Sequence, residues 1–237
     1  MKQKIDILCY YDNLYESLYD IFFYPSYKQY LSENFNLISH KVNVDQTTKT
    51  GWNTAYWSKI LIDRFDFLKD YIIHNPNKWC IFSDIDILFL NNFYTDIQPF
   101  INEKTNDIYY MAEYIRAPTS EINGGFFLFY SNETVFNFFD LIQKLTTEMN
   151  TPNDQIVITK TFKNKDYDIK HSILPRNSFV TNNNPRQKTQ NLIKYHTLKV
   201  FHSTCSNTVM EKIQILSSIY LKQYGITGHN LWLPQDN

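Results

Sequence analysis

Trp79-Cys80-Ile81-Phe82-Ser83-Asp84-Ile85-Asp86-Ile87-Leu88-Phe89-Leu90 places two carboxylates one residue apart inside an otherwise apolar run. Such a run reads as strand buried on both faces, and an ionised carboxylate there is costly unless something compensates it. A metal ion compensates both at once. Two Asp one residue apart on a regular strand point to opposite faces. Both meet one ion where the strand stops at Asp84 to Asp86 and resumes at Ile87. That geometry sets the pair at the carboxyl end of a strand, where open α/β sheets hold their ligands. The competing reading is a short acidic loop between two core strands.

The flanking sequence supplies the layers around this strand. Ile5 to Tyr11 is a short apolar β-type run, and Tyr15 to Leu31 reads as helical until Pro25 interrupts it. Phe35 to Val44 alternates as a second strand, and the polar stretch from Asp45 to Thr50 is closed by Gly51. The clearest helix follows. Asn53 or Thr54 caps it, and Trp57, Ile60, Leu61, Phe65, Leu68 and Ile72 recur at helical spacing before the Asn75-Pro76-Asn77 stop. It delivers the chain directly into the Asp84 strand.

Asp107 to Ala112, Phe126 to Tyr130, Ile169 to Leu174 and Leu198 to Phe201 read as further strands. Thr134 to Met149, Gln155 to Phe162 and Val209 to Tyr224 read as helices, the last ended by Gly225. Alternation of strands and helices predicts an α/β class, a Rossmann-like domain with a mainly parallel central sheet. Phe179 to Gln190, with Asn182-Asn183-Asn184-Pro185, reads as a surface loop. No repeat is visible, so residues 1–237 are expected to form a single domain.

Composition narrows the function classes. Aromatics are 17% of the 237 residues, with 18 Tyr and 18 Phe, against 20% charged, which describes a globular chain. High Tyr content suits surfaces that stack on sugars and bases. Net charge is −1 with no basic cluster, which argues against a nucleic-acid partner. Cys9, Cys80 and Cys205 are too few and too dispersed for a disulfide framework or a cysteine metal site, which suits a reducing compartment. The amino-terminal apolar segment is too short for a signal sequence and no run is long enough to span a membrane. A soluble, cytoplasmic protein is expected, with peripheral membrane contact through the aromatic Tyr19 to Tyr30 stretch as an alternative.

The motifs occur in a telling order. The helix Trp57-Ser58-Lys59-Ile60-Leu61 leads to Ser83-Asp84-Ile85-Asp86, then come Asn123-Gly124-Gly125-Phe126-Phe127, Asn153-Asp154-Gln155, Leu174-Pro175 and a late His202. From about Gly51 to His202 this order resembles GT-A fold glycosyltransferases, specifically the nucleotide-diphospho-sugar transferase group that includes plant arabinosyl- and xylosyltransferases. The resemblance implies that Asp84 and Asp86 bind Mn²⁺ or Mg²⁺ bridging the diphosphate of a nucleotide-sugar donor, with UDP the expected nucleotide. Carboxylates and phosphate oxygens suit such hard cations. It also implies a glycan or other hydroxyl acceptor, transfer with retention, and His202 as a further metal ligand. A strand-end His is otherwise often a hydrogen-bonded surface residue. His171 and His196 are weaker candidates.

Each remaining motif carries two readings. Asn123-Gly124-Gly125 is a tight turn into the Phe126 strand on local grounds, and by resemblance lies beside the donor sugar, where small residues leave room for a ring. Asn153-Asp154-Gln155 opens a helix, where Asp is a good N-cap. By resemblance Asp154 or Gln155 acts near the anomeric carbon or acceptor hydroxyl. An inverting enzyme needs a carboxylate base there, for which Asp154 or Glu121 would serve. Lys59, ahead of Arg64, is a candidate to meet the diphosphate, although helical cations are usually solvated. Tyr10, Tyr11 and Asp12 end the first strand, which by resemblance faces the nucleobase. Lys212 and His229 are further candidates for phosphate. One departure stands out: related transferases follow the late His with a glycine and a basic residue, and His202-Ser203-Thr204-Cys205-Ser206-Asn207 has neither.

Two other functions compete. The Asp84-Ile85-Asp86 motif after an apolar strand resembles the nucleophile motif of haloacid dehalogenase phosphatases. That motif sits near the amino terminus with Thr or Val two residues after the second Asp, where this chain has Leu88. A non-catalytic carbohydrate-binding protein on the same fold is the third reading.

Overall fold

The computed structural model describes residues 4–45, 54–113, 122–149, 151, 153–164, 167–181, 197–204 and 208–224. Strand β1 (Ile5–Asp12) sends Ile7, Cys9 and Tyr11 into one apolar cluster and Leu8 and Tyr10 into another. That alternation is what a strand covered on both faces requires. β2 (Phe35–Val42) and β3 (Trp79–Ser83) flank β1, both parallel to it. Beyond β3 lie β6 (Ile122–Tyr130), β5 (Ile108–Ala112) and β7 (His171–Ile173). The six-stranded sheet has the order β2-β1-β3-β6-β5-β7, and every strand but β6 runs the same way. The expected α/β class with a mainly parallel sheet is what the chain adopts.

One face is covered by α3 (Ala55–His74), α5 (Glu133–Glu148) and α6 (Asp154–Lys163), through Phe65, Leu68, Phe138, Phe139, Val157 and Ile158. α3 starts where expected, with Thr54 Oγ1 accepting from Trp57 N at 3.1 Å; Asn53 and Gly51 lie outside the described residues. The other face carries α1 (Glu16–Leu18), α2 (Tyr24–Tyr30), α4 (Tyr94–Glu103) and α7 (Val209–Gln223). A second sheet packs there too, β4 (Ile87–Phe89), β9 (Val200–His202) and β8 (Phe179–Thr181), in the order β4-β9-β8. The two apolar clusters therefore lie on opposite faces of one sheet.

Three local expectations are corrected. The helix after Tyr15 does not end at Pro25: a π turn, Tyr19–Phe23, carries the Tyr24 N–H to Tyr19 O, and the proline falls in the first turn of α2. The wider turn relieves the clash between the proline ring and the carbonyl four residues back. Asn123-Gly124-Gly125 is not a turn but part of β6, paired at Ile122 with Ala112 across an irregularity in β5. Phe179–Thr181, read as loop, is the buried strand β8, parallel to β9; residues 182–190 lie outside the described residues. The run was too short for periodicity to identify, and its partner is about twenty residues further on.

Candidate active site

Asp84-Ile85-Asp86 is the crossing between the two sheets. β3 ends at Ser83 in the large sheet and β4 begins at Ile87 in the small one, so the strand breaks between the two carboxylates as their shared side requires. Pairing within each sheet then chooses their neighbours. Ser83 lies opposite Phe126, and Asp84 N donates to Gly125 O at 2.8 Å. Ile87 lies opposite His202, and Ser203 N donates to Asp86 O at 3.0 Å. His202 is thus inside β9, the last residue of the strand expected to precede it.

Asp84, Asp86 and His202 offer ligand atoms that all lie within 4.8 Å of one another. His202 Nε2 is 3.0 Å from Asp86 Oδ1 and 3.8 Å from Asp84 Oδ2. On the other side of the ring, Asn123 Oδ1 accepts from Nδ1 at 2.7 Å, and Asn123 Nδ2 donates to Glu113 Oε2 at 2.7 Å. The Glu113 carboxylate fixes which end of the amide is oxygen, and that oxygen fixes the proton on Nδ1, which leaves Nε2 as the ligand atom. A Cβ on Gly125 would lie 2.9 Å from His202 Nδ1 and closer still to His202 Cε1 and Asp84 Oδ2. Two carboxylates, an Nε2 facing them and a glycine that lets Asp84 and His202 draw together over the backbone fit a hard divalent cation.

The two carboxylates are not equivalent. Burial would raise Asp86, but Lys212 and His202 outweigh it and hold its carboxyl well below the usual carboxylate range. For Asp84, burial and the Asp86 charge push upward and prevail over Arg64, His202 and Lys212. Burial lowers His202, and the Asp86 and Asp84 carboxylates more than reverse it. Cys9, on the neighbouring strand, has its thiol pushed up by burial first and by Asp84 second, so it offers no thiolate ligand.

Arg64 and Lys212 are the cations of the site. Arg64 Nη1 lies 3.4 Å from Asp84 Oδ1 while Nη2 pairs with Asp154 Oδ2, and its side chain is 7% exposed. Its guanidinium lies 5.2 Å from the ring centres of both Phe65 and Phe82. The sequence signal was present: Arg64 falls on the apolar stripe of α3 between Leu61 and Phe65, where a solvated residue has no place. Lys59, preferred from sequence, is on the outer face, 68% exposed and paired with Asp63. Lys212, in the first turn of α7, pairs with Asp86 Oδ2 and donates to Ser203 O at 2.9 Å. It supplies from another element the cation missing after His202. Glu113 had no sequence signal.

Asp154 does not cap α6. Asn153 does, its Oδ1 accepting from Ile156 N at 3.4 Å, so the Asp154 carboxylate is left to Arg64. Gln155 Oε1 accepts from Gly124 N at 3.3 Å, joining α6 to β6 beside the carboxylate pair. Tyr10 and Tyr11 point to opposite faces, as strand neighbours must: Tyr10 stacks on His40 with centroids 5.2 Å apart and Tyr11 on Tyr19 at 4.6 Å. Asp12 accepts from Leu14 N at 2.8 Å and from the Tyr56 hydroxyl at 2.9 Å, tying the end of β1 to the start of α3. His171 is remote from these ligands, stacked on Phe162 with centroids 4.1 Å apart. Glu121, His196 and His229 lie outside the described residues.

The nucleotide-diphospho-sugar transferase family matches residues 24–216 of the chain. Curated proteins give no match. Among solved structures, a glycosyltransferase involved in the glycosylation of the major capsid of PBCV-1 aligns with a TM-score of 0.62 at 13% identity, over 90% of this chain and 99% of that one. The glycosyltransferase GlyE of Streptococcus pneumoniae TIGR4 aligns at 0.53 and 12% identity, over 94% of this chain and 64% of that one. The bifunctional glycosyltransferase WbbM aligns at 0.56 and 9% identity, over 95% of this chain and 52% of that one. At these identities the likeness carries the fold alone, and the chain spans only part of the last two.

Proposed function

The chain belongs to the nucleotide-diphospho-sugar transferase family and is a glycosyltransferase, and from that premise we propose a metal-dependent transfer of a sugar from a UDP-sugar to a hydroxyl of a glycan or other acceptor, with retention. One observation carries the reading: Asp84, Asp86 and His202 gather their ligand atoms within 4.8 Å at the break between two sheets, with Gly125 letting Asp84 and His202 close on the strand beside them. These three residues would hold Mn²⁺ or Mg²⁺, which would neutralise the charge that develops on the departing nucleoside diphosphate.

The chain's own groups do the rest. In this reading the donor sugar lies beside Gly124, Gly125 lets His202 and Asp84 close onto the backbone of β6, and Arg64 holds the Asp154 carboxylate in place next to Gly124. Gln155, whose Oε1 accepts from the Gly124 amide, acts in this reading near the anomeric carbon. Retention is favoured because the Asp154 carboxylate is already engaged by a buried guanidinium, a poor arrangement for a base that must take the acceptor's proton. We take residues 1–237 as one catalytic domain. Among the described residues no helix is long and apolar enough to cross a membrane, and a cytoplasmic site of action is part of this proposal.

The test is to incubate the protein with Mn²⁺ and a panel of UDP- and GDP-sugars, measuring donor binding and hydrolysis, with the anomeric configuration of product read by NMR. UDP-sugar binding that disappears with chelator and in Asp86→Asn is expected. Binding that ignores both overturns the metal-dependent reading.

A further inference from the structure

Three of the four oxygens of the Asp84 and Asp86 carboxylates already face a nitrogen: Asp84 Oδ1 has Arg64 Nη1 at 3.4 Å, Asp86 Oδ1 has His202 Nε2 at 3.0 Å, and Asp86 Oδ2 holds the Lys212 ammonium. The fourth, Asp84 Oδ2, stands 3.8 Å from His202 Nε2. An ion held by both carboxylates and His202 therefore enters a place that protein cations partly fill.

Lys212 is the cation in the way. Its side chain is only 14% exposed, and its second acceptor is a neutral one, the Ser203 carbonyl at 2.9 Å. It projects from the first turn of α7, where the helix dipole disfavours positive charge, so the carboxylate rather than the helix holds it there. Turning this ammonium away from Asp86 strands a buried charge unless a new anion comes to meet it. A diphosphate carries that anion, and phosphate oxygens accept strongly from an ammonium. The four-carbon stem lets Nζ change partner while the helix stays in place.

Building on the metal-dependent reading above, we propose that Lys212 is the resident counter-ion of the metal site, which yields Asp86 only when a diphosphate arrives to receive it. Metal and nucleotide then load as a unit. The ion alone binds weakly because it must displace Lys212 with nothing to accept it, and the diphosphate alone meets a lysine already engaged.

Mn²⁺ binding, followed by the EPR signal of the free ion, tests this in the wild type, Lys212→Met and Lys212→Arg, each alone, with UDP and with uridine. Circular dichroism checks folding, and Lys212→Gln replaces the Met variant if that one does not fold. In the wild type UDP is expected to tighten Mn²⁺ binding tenfold or more, and uridine, without phosphates, to leave it unchanged. Lys212→Met is expected to bind Mn²⁺ alone at least tenfold more tightly than the wild type and to gain less from UDP, whereas Lys212→Arg keeps the wild-type weakness. Equal Mn²⁺ affinity in wild type and Lys212→Met, without nucleotide, overturns this inference alone. No Mn²⁺ binding to the wild type with or without UDP overturns the metal-dependent reading and this inference with it.

Discussion

Gly125→Ala adds one methyl group at a crowded point of the site, and its neighbour Gly124→Ala adds the same group at ordinary contact distance. At Gly125 the new Cβ lies 2.9 Å from His202 Nδ1 and closer still to His202 Cε1 and Asp84 Oδ2. Neither neighbour yields cheaply. His202 is pinned by Asn123 at 2.7 Å and Asp86 at 3.0 Å, and the Asp84 amide is bonded to the Gly125 carbonyl at 2.8 Å. Overpacking of this kind costs about 1–3 kcal/mol. At roughly 2–4 °C of melting temperature per kcal/mol for a chain of this size, about 2 kcal/mol lowers Tm by roughly 4–8 °C. At Gly124 the Cβ meets Arg64 Nη2 and the Asp154 carboxylate oxygens at 3.7 Å, an ordinary contact. Its loss of unfolded-state freedom stabilises by about 0.4–1 kcal/mol. Thermal unfolding and Mn²⁺ binding in the presence of UDP are then expected to separate the two. Gly124→Ala keeps both, and Gly125→Ala loses the Tm stated and at least about tenfold in metal affinity, as displaced ligands do. A Gly125→Ala protein that melts and binds like the wild type refutes the placement of Asp84 and His202.

Three further outcomes follow from the groups around the site. Arg64→Met leaves the Asp84 and Asp154 charges without their shared guanidinium, costing about 3–5 kcal/mol in denaturant unfolding; Arg64→Lys recovers less than half, because a point charge cannot span two carboxylates, and full recovery would contradict the bridging role. Asn123→Ala removes the acceptor for His202 Nδ1, so Mn²⁺ affinity is expected to fall about 10–100-fold, with the loss of a single imidazole tautomer visible by ¹⁵N NMR; unchanged affinity would mean His202 is oriented some other way. At the far end of β1, burial raises Asp6 but hydrogen bonds from Lys78, Tyr71 and Asn36 prevail and lower its pKa. A lowered native pKa gives stability that is present above the unfolded value, about 3.9, and lost as pH falls through the native value. Asp6→Asn is therefore expected to be less stable than the wild type at neutral pH, with a shallower decline below about pH 4; parallel stability–pH curves would show that Asp6 contributes no such linkage.

The fold was legible where a segment's neighbours are dictated by its own pattern. Trp79 to Phe82 announces burial on both faces, and the structure sends Trp79 and Ile81 to one apolar cluster and Cys80 and Phe82 to the other. Trp57 to Ile72 announces α3 through its spacing and its Thr54 cap. Where two local rules disagreed, a partner distant in sequence decided. Asn-Gly favours a turn, yet Gly124 and Gly125 are strand because Phe126 onward pairs with β3 and draws the preceding residues into the ladder. Phe179 to Thr181 is strand only because Val200 to His202 comes to lie beside it.

The same distinction divides the site. Asp84 and Asp86 were conspicuous because a buried strand does not tolerate a carboxylate without a partner, and that inference needs no knowledge of who the partner is. Naming the partners needs the fold: His202 and Lys212 are 116 and 126 residues from Asp86, and Arg64 is 90 from Asp154. Chemistry expected next to His202 in sequence is instead delivered next to it in space, by α7. A charge that looks redundant on its own element, Arg64 inside an apolar stripe or Lys212 against a helix dipole, is therefore the better pointer to a functional partner than proximity to a motif. Lys59, which lies on the motif-bearing helix, shows the converse, since its ammonium is satisfied one turn away by Asp63 and faces water.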